Sequence, residues 1–87
     1  MKLKKEYLPH QAMGEYMLIP TGEAEFKGLV KGNETFGLIL DCLQKDVTEA
    51  TITERLTEVY DGVTPEKAES DVRKVIERLR GIGALEE

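Results

Sequence analysis

Cysteine, histidine and tryptophan are nearly absent from this chain of 87 residues, which holds one Cys, one His and no Trp. A single cysteine, Cys42, excludes a disulfide within the chain and fits a reducing compartment. His10 is distant in sequence from Cys42, and one such pair predicts neither a metal site nor a catalytic Cys-His pair. A Gly-rich phosphate-binding motif is also missing. We therefore expect no catalytic activity, no metal and no cofactor.

Long apolar runs are missing as well. No stretch approaches the roughly 20 apolar residues that a membrane-spanning helix needs. The basic start, with Lys2, Lys4 and Lys5, is not followed by an apolar segment of signal-peptide type. We expect a cytoplasmic protein without membrane contact, and a basic start that frays from the domain.

The charge is acidic and unevenly distributed. The formal net charge is -5, and residues 32–87 hold seven Lys or Arg against thirteen Asp or Glu. Nucleic-acid binding draws most of its free energy from the neutralisation of phosphates. An acidic second half therefore disfavours a nucleic-acid partner.

Hydrophobic patterning divides the chain into a strand-like part and a helical part. The alternation of apolar residues predicts strands at Lys4–Ala12, Tyr16–Ile19 and Phe26–Lys31. Helical spacing and capping residues then predict one helix starting near Glu34, a second capped by Thr48 or Thr51 and ending near Tyr60, and a third over Pro65–Arg80. Strands followed by helices predict an α+β class: one small winged-helix-like domain over residues 1–87, with a three-stranded antiparallel sheet followed by three helices.

Two features of this predicted fold favour binding. The third strand, Phe26–Lys31, offers free main-chain groups to an added peptide strand if it lies at the sheet edge. Lys27 and Lys31 also fit the opposite interpretation, an edge protected by charge. The third helix carries four cations close to its apolar stripe, namely Arg73, Lys74, Arg78 and Arg80. Interleaved carboxylates are, however, typical of a solvated helix face.

The order of these segments resembles the PqqD-like family, also called RiPP recognition elements. The resemblance covers about Tyr16 to Leu85. The segments that carry it are Leu18-Ile19-Pro20, Leu29–Thr35, Thr48-Glu49 with Tyr60-Asp61, Asp71-Val72 with Ile76 and Leu79, and Gly83-Ala84-Leu85.

The resemblance implies a domain without catalytic activity that binds the leader segment of a ribosomally made precursor peptide and presents it to a modifying enzyme, often a radical SAM enzyme. Whether the pathway makes pyrroloquinoline quinone or another product is left open. The leader would add to the third strand and lie against the third helix. By position, the resemblance points to Phe26, Lys27, Gly28, Leu29, Val30 and Lys31 on the strand side, and to Glu69, Arg73, Ile76 and Arg80 on the helix side.

Basic residues at this place favour an acidic leader, because main-chain pairing alone is largely independent of sequence. Lys27, Lys31, Arg73 and Arg80 would provide that selectivity. The alternatives are a winged-helix DNA-binding regulator, which the acidic second helix disfavours, and a structural domain that forms a homodimer through its exposed edge strand.

Overall fold

A computed structural model describes all 87 residues of the chain. Five strands and three helices follow one another in the order ββββαααβ. Their bounds are β1 Lys2–Leu3, β2 Tyr7–Ala12, β3 Glu15–Pro20, β4 Val30–Gly32, α1 Glu34–Cys42, α2 Glu49–Val59, α3 Pro65–Gly81 and β5 Leu85–Glu86.

The predicted three-stranded antiparallel sheet is confirmed, with the strand order β2-β3-β4. β2 and β3 are joined by a tight turn at Met13-Gly14, where both residues have positive φ angles. Such angles match the twist of a hairpin, and glycine adopts them at little cost. β3 is therefore central, and the sheet has two edges, one along β2 and one along β4.

The predicted third strand, Phe26–Lys31, is wrong in extent, because β4 covers only Val30–Gly32. Val30 pairs with Leu18, so further pairing would set Gly28 opposite Pro20 at the end of β3. Even-numbered residues of β3 direct their main-chain groups toward β4, and a proline has no N–H to donate there. The ladder therefore ends, and Phe26–Leu29 form a loop instead of a strand.

The prediction of a frayed basic start is also wrong. Lys2–Leu3 pairs with Leu85–Glu86 in a small antiparallel ribbon, and Leu3 is buried. The amino group of Met1 lies 2.6 Å from a carboxylate oxygen of Asp46. This hydrogen bond and charge lower the pKa of Asp46. The first strand proper accordingly begins at Tyr7 rather than at Lys4.

The three helices begin at capping residues that the sequence predicts. Asn33 and Thr64 each accept a hydrogen bond from the backbone N–H three residues on, and Pro65 opens α3. The second helix is capped by Thr48, whose hydroxyl accepts from the Thr51 N–H. Thr51 is therefore inside the helix, and the alternative cap at that position is wrong.

One core of 17 buried residues joins the inner face of the sheet to the three helices. Leu18 contributes from the central strand, Ile39 from α1, Ile52 from α2 and Ile76 from α3, each at most 1% exposed. Ala84 and Leu85 return to this core at the end of the chain. None of the helices combines the length and the apolar character that a membrane span requires.

Candidate functional site

The free edge of β4 exposes main-chain groups of Lys31. Tyr16 pairs with Gly32 and Leu18 with Val30, while Lys31 lies opposite Met17. In an antiparallel pair, alternate residues direct both their N–H and C=O toward the partner strand. Val30 and Gly32 bond to β3, so the N–H and C=O of Lys31 point away from the sheet. A peptide strand added at this edge would bond to Lys31 first.

Helix α3 provides the wall next to this edge through Arg78. A guanidinium nitrogen, Nη1, donates to the carbonyl oxygen of Lys31 at 3.4 Å. The guanidinium carbon also lies 5.8 Å from the centre of the Phe36 ring. That ring packs beneath β4, since a Cβ at Gly32 would collide with it. Phe36 thus forms the floor between the strand and the helix.

The two sides of α3 contact different parts of the molecule. Arg78 contacts Lys31 of β4, and Val75, three residues earlier, lies on the same side of the helix. Val75 is half-buried against the core. The predicted helix residues Glu69, Arg73 and Arg80 lie on the other side, and Arg73 there approaches Glu49 of α2 at 3.9 Å. Ile76 lies between the two sides and is 1% exposed, so it supports the helix from within the core.

The predicted strand residues before β4 lie in the loop that leads to it. Phe26 is half-buried against the core, and its ring covers Gly28, where an added Cβ would lie 2.7 Å from the ring. Lys27 donates from Nζ to the Gly22 carbonyl at 3.2 Å. Leu29 is 51% exposed immediately before the strand begins. The structure therefore brings Leu29, Val30 and Lys31 to the edge, and folds Phe26 back onto the domain.

Most of the cations predicted for the site have partners within the domain. Lys31 lies 3.9 Å from Glu15, and Arg73 lies 3.6 Å from Glu69. Arg80 forms a pair of hydrogen bonds to Glu87 at 2.6 and 2.9 Å. Those bonds lower the pKa of the Glu87 carboxyl and raise the pKa of Arg80.

Arg78 differs from these residues, because its guanidinium has no carboxylate within 4.0 Å among the ion pairs of the molecule. The sequence predicts that Arg78 lies near the apolar stripe of α3, but it does not identify Arg78 as a site residue. Its spacing of three residues from Val75 was the available signal, but spacing does not reveal which side of a helix meets the sheet.

A cleft of about 580 Å³ lies at the opposite edge of the sheet, along β2. Its lining is mostly polar and includes His10, Tyr16, Glu34, Asp41 and Tyr60. Burial, with smaller effects of Glu34 and Tyr16, raises the pKa of the Tyr60 hydroxyl. Burial likewise raises the pKa of the Cys42 thiol on α1. The β4 site is by contrast an open edge beside a helix.

No group of three or more His, Cys, Asp or Glu side chains is arranged to hold a metal ion. His10 is exposed on β2, on the opposite side of the central strand from β4. The groups present at the β4 edge are the outward main chain of Lys31, the guanidinium of Arg78 and the exposed side chain of Leu29.

Comparisons with known proteins identify the fold and the family of the chain. A search of curated proteins found no match. Among solved structures, TbiB1 in complex with the TbiA(beta) leader peptide is similar in fold, with a TM-score of 0.79 and 17% sequence identity. That similarity covers 99% of this chain and 95% of the TbiB1 chain. The family model for coenzyme PQQ synthesis protein D (PqqD) matches residues 15–85. Since this match covers most of the chain, with β3, β4 and all three helices, the chain belongs to the PqqD family.

Proposed function

We propose that this protein is a non-catalytic adaptor that binds the leader segment of a ribosomally made precursor peptide. The leader adds as a strand to the free edge of β4 and lies between that strand and α3. The adaptor then presents the rest of the precursor to a modifying enzyme, for which a radical SAM enzyme is the first candidate. The observation that carries the proposal is the outward-facing main chain of Lys31 beside α3.

Three facts support a peptide as the ligand. The edge of a sheet offers hydrogen bonds to any extended chain, and neighbouring side chains then select among sequences. TbiB1, which shares the fold at 17% identity, was solved with a leader peptide. The family model for PqqD also matches residues 15–85, in line with the resemblance to RiPP recognition elements, which implies a leader-peptide ligand.

The contact residues of the proposed site differ in part from those expected from the sequence. On the strand side the proposal keeps Leu29, Val30 and Lys31, with Phe26, Lys27 and Gly28 as the loop that shapes its entrance. On the helix side it moves from the Arg73 side of α3 to Val75 and Arg78. Leu29 and Lys31 follow the alternation of a strand, so their side chains would flank a bound leader on the outer face of the sheet.

The acidic charge of the helical half continues to disfavour the DNA-binding alternative. Arg55 is the only cation of α2, which also carries Glu49, Glu54 and Glu58. A DNA reader is expected to place a basic helix against phosphates. Tight duplex binding at low salt in a gel shift would favour that alternative over a peptide adaptor.

Proline substitution at Lys31 tests the proposal directly. Lys31→Pro removes an N–H that does not bond to β3, so the sheet keeps its own ladder while the edge loses a donor. We expect the affinity for a bound leader to fall about tenfold, because a hydrogen bond is lost and the proline ring obstructs the added strand. Fluorescence anisotropy would measure this, with labelled leaders taken from short precursor genes beside the gene for this protein.

Two variants serve as matched controls. Lys31→Ala removes the side chain but keeps the N–H, and it should retain most of the affinity. Gln11→Pro makes the same backbone change at the β2 edge, where no leader is expected, and it should bind like the wild type. Circular dichroism would establish that each variant is folded. Equal binding by Lys31→Pro and wild type would rule out strand addition at β4.

A further inference from the structure

We propose that Arg78 closes the β4 edge in the peptide-free protein and, when the peptide binds, pairs with an acidic side chain of that peptide. This inference rests on the proposed function of the β4 edge. It assigns Arg78 as the residue that selects among extended peptides, and it names the class that is selected: peptides with an Asp or Glu directed toward α3.

The guanidinium of Arg78 lies at the outward edge of β4. Its Nη1 atom donates to the carbonyl oxygen of Lys31, the carbonyl of β4 that faces away from the sheet. An added strand must donate to this same oxygen. The guanidinium therefore competes with the first hydrogen bond of a bound peptide for this acceptor.

The contact between the Arg78 guanidinium and the Lys31 carbonyl oxygen is easily exchanged. At 3.4 Å it is longer than the usual N–H···O distance of about 2.9 Å, and it is solvent-exposed. An added strand provides an amide donor at better geometry in its place. Closure by Arg78 thus shields an open edge, which would otherwise invite pairing with other chains, without blocking a specific partner.

The ring of Phe36 retains the guanidinium when it leaves the carbonyl oxygen of Lys31. The ring of Phe36 lies 5.8 Å below it, and Phe36 is 3% exposed and fixed by packing. A guanidinium over an aromatic face is held there by the charge distribution of the ring. The charge of Arg78 therefore stays at the floor of the groove after displacement.

Arg78 lacks the carboxylate partner that the neighbouring arginines of α3 have. Arg73 and Arg80 each have a carboxylate within the domain, at 3.6 and 2.6 Å respectively, whereas Arg78 has none. A guanidinium pairs with a carboxylate through parallel hydrogen bonds, and this gives both affinity and a defined orientation. A peptide carboxylate on the groove side provides this partner for Arg78.

The test is a double-mutant cycle between Arg78 and the leader peptide. The labelled leader that binds the wild type is compared with versions in which single Asp or Glu residues are changed to Asn or Gln. These peptides are titrated against wild type and Arg78→Gln. We expect one peptide carboxylate whose removal weakens binding to the wild type about tenfold but scarcely changes binding to Arg78→Gln.

Two further variants test whether Arg78 selects the peptide or only supports the fold. Arg73→Gln, on the α2 side of the same helix, should show no coupling to any peptide carboxylate. Arg78→Lys keeps the charge but lacks the planar fork, and its coupling should be intermediate. For the peptide without that carboxylate, Arg78→Gln should bind as tightly as wild type or more tightly, because it has no guanidinium to displace.

The outcomes distinguish the two proposals. If no leader binds the wild type, or Lys31→Pro has no effect, the proposed function fails. If leaders bind and respond to Lys31→Pro while Arg78→Gln shows no coupling, or shows no more than Arg73→Gln, the inference about Arg78 is wrong and the adaptor function stands.

Discussion

The two edges of the same sheet differ in length and in what they offer to another chain. β2 extends over six residues and β4 over three. On β2 the outward positions are Tyr7, Pro9 and Gln11. The N–H of Tyr7 already bonds to the Lys4 carbonyl at 3.1 Å, and Pro9 has no N–H. The longer edge is therefore poor in donors, whereas the shorter edge keeps both main-chain groups of Lys31 directed outward.

The availability of an edge thus depends on its main-chain groups and its surroundings more than on its length. Proline at an outward position is one of the ways in which a sheet edge is protected from pairing. β4 lacks that protection, but it lies beside α3 and is closed by the exchangeable contact of Arg78. The two edges are thus protected in different ways, one permanently and one reversibly.

The largest effect is expected where both edges are disturbed at once. Leu18 lies on the central strand, is 0% exposed and pairs with Pro9 on one side and Val30 on the other. Leu18→Ala should lower the free energy of unfolding by about 2 to 5 kcal/mol, since it leaves a cavity in the core. Urea denaturation would measure this. A loss below about 0.5 kcal/mol, typical of a surface position, would contradict the central place of Leu18.

A smaller effect should separate the two edges. A Cβ at Gly32 meets the ring of Phe36 under β4, whereas a Cβ at Gly37 meets the ring of Tyr16 toward the β2 side. Each change to alanine should cost about 1 to 3 kcal/mol of stability through overpacking, with part of the cost at Gly37 offset by helix propensity.

Leader binding should distinguish these two variants. Gly32→Ala displaces the floor beneath Arg78 and should weaken binding severalfold, while Gly37→Ala should leave the affinity of the folded protein unchanged. Anisotropy titrations at a temperature where both variants are folded would compare them. Equal losses of affinity would mean that the β4 side has no special part in binding.

The smallest effect is expected when a donor is restored to β2. Pro9→Val adds an outward N–H next to exposed Leu8, and we expect more self-association than in the wild type. His10→Val is the matched control, because the N–H of His10 faces β3. Sedimentation velocity over a range of concentrations would compare the two. If both variants associate equally, apolar surface rather than the edge donor is responsible.

Much of the fold follows from local chemistry that a sequence displays. Asn33 and Thr64 begin helices because their side chains accept the first free N–H groups, and Met13-Gly14 turns because both residues adopt positive φ. The apolar stripe of α3 likewise predicts the buried residues Val72, Ile76 and Leu79. These features depend on neighbours within about one helical turn or one hairpin, so the sequence contains the whole cause.

Strand register, and the side of a helix that faces a sheet, depend on residues distant in the chain. These features are therefore visible in the tertiary structure and not in the sequence. The third strand was predicted too long because the alternation of Phe26, Gly28 and Val30 does not show that Pro20 ends the partner strand. The side of α3 that meets β4 is set by the packing of α2 against its other side, where Arg73 approaches Glu49. The class of fold, and a strand edge beside a helix with several arginines, can therefore be predicted from the amino-acid sequence. The tertiary structure determined that Lys31 and Arg78 are the residues that meet there.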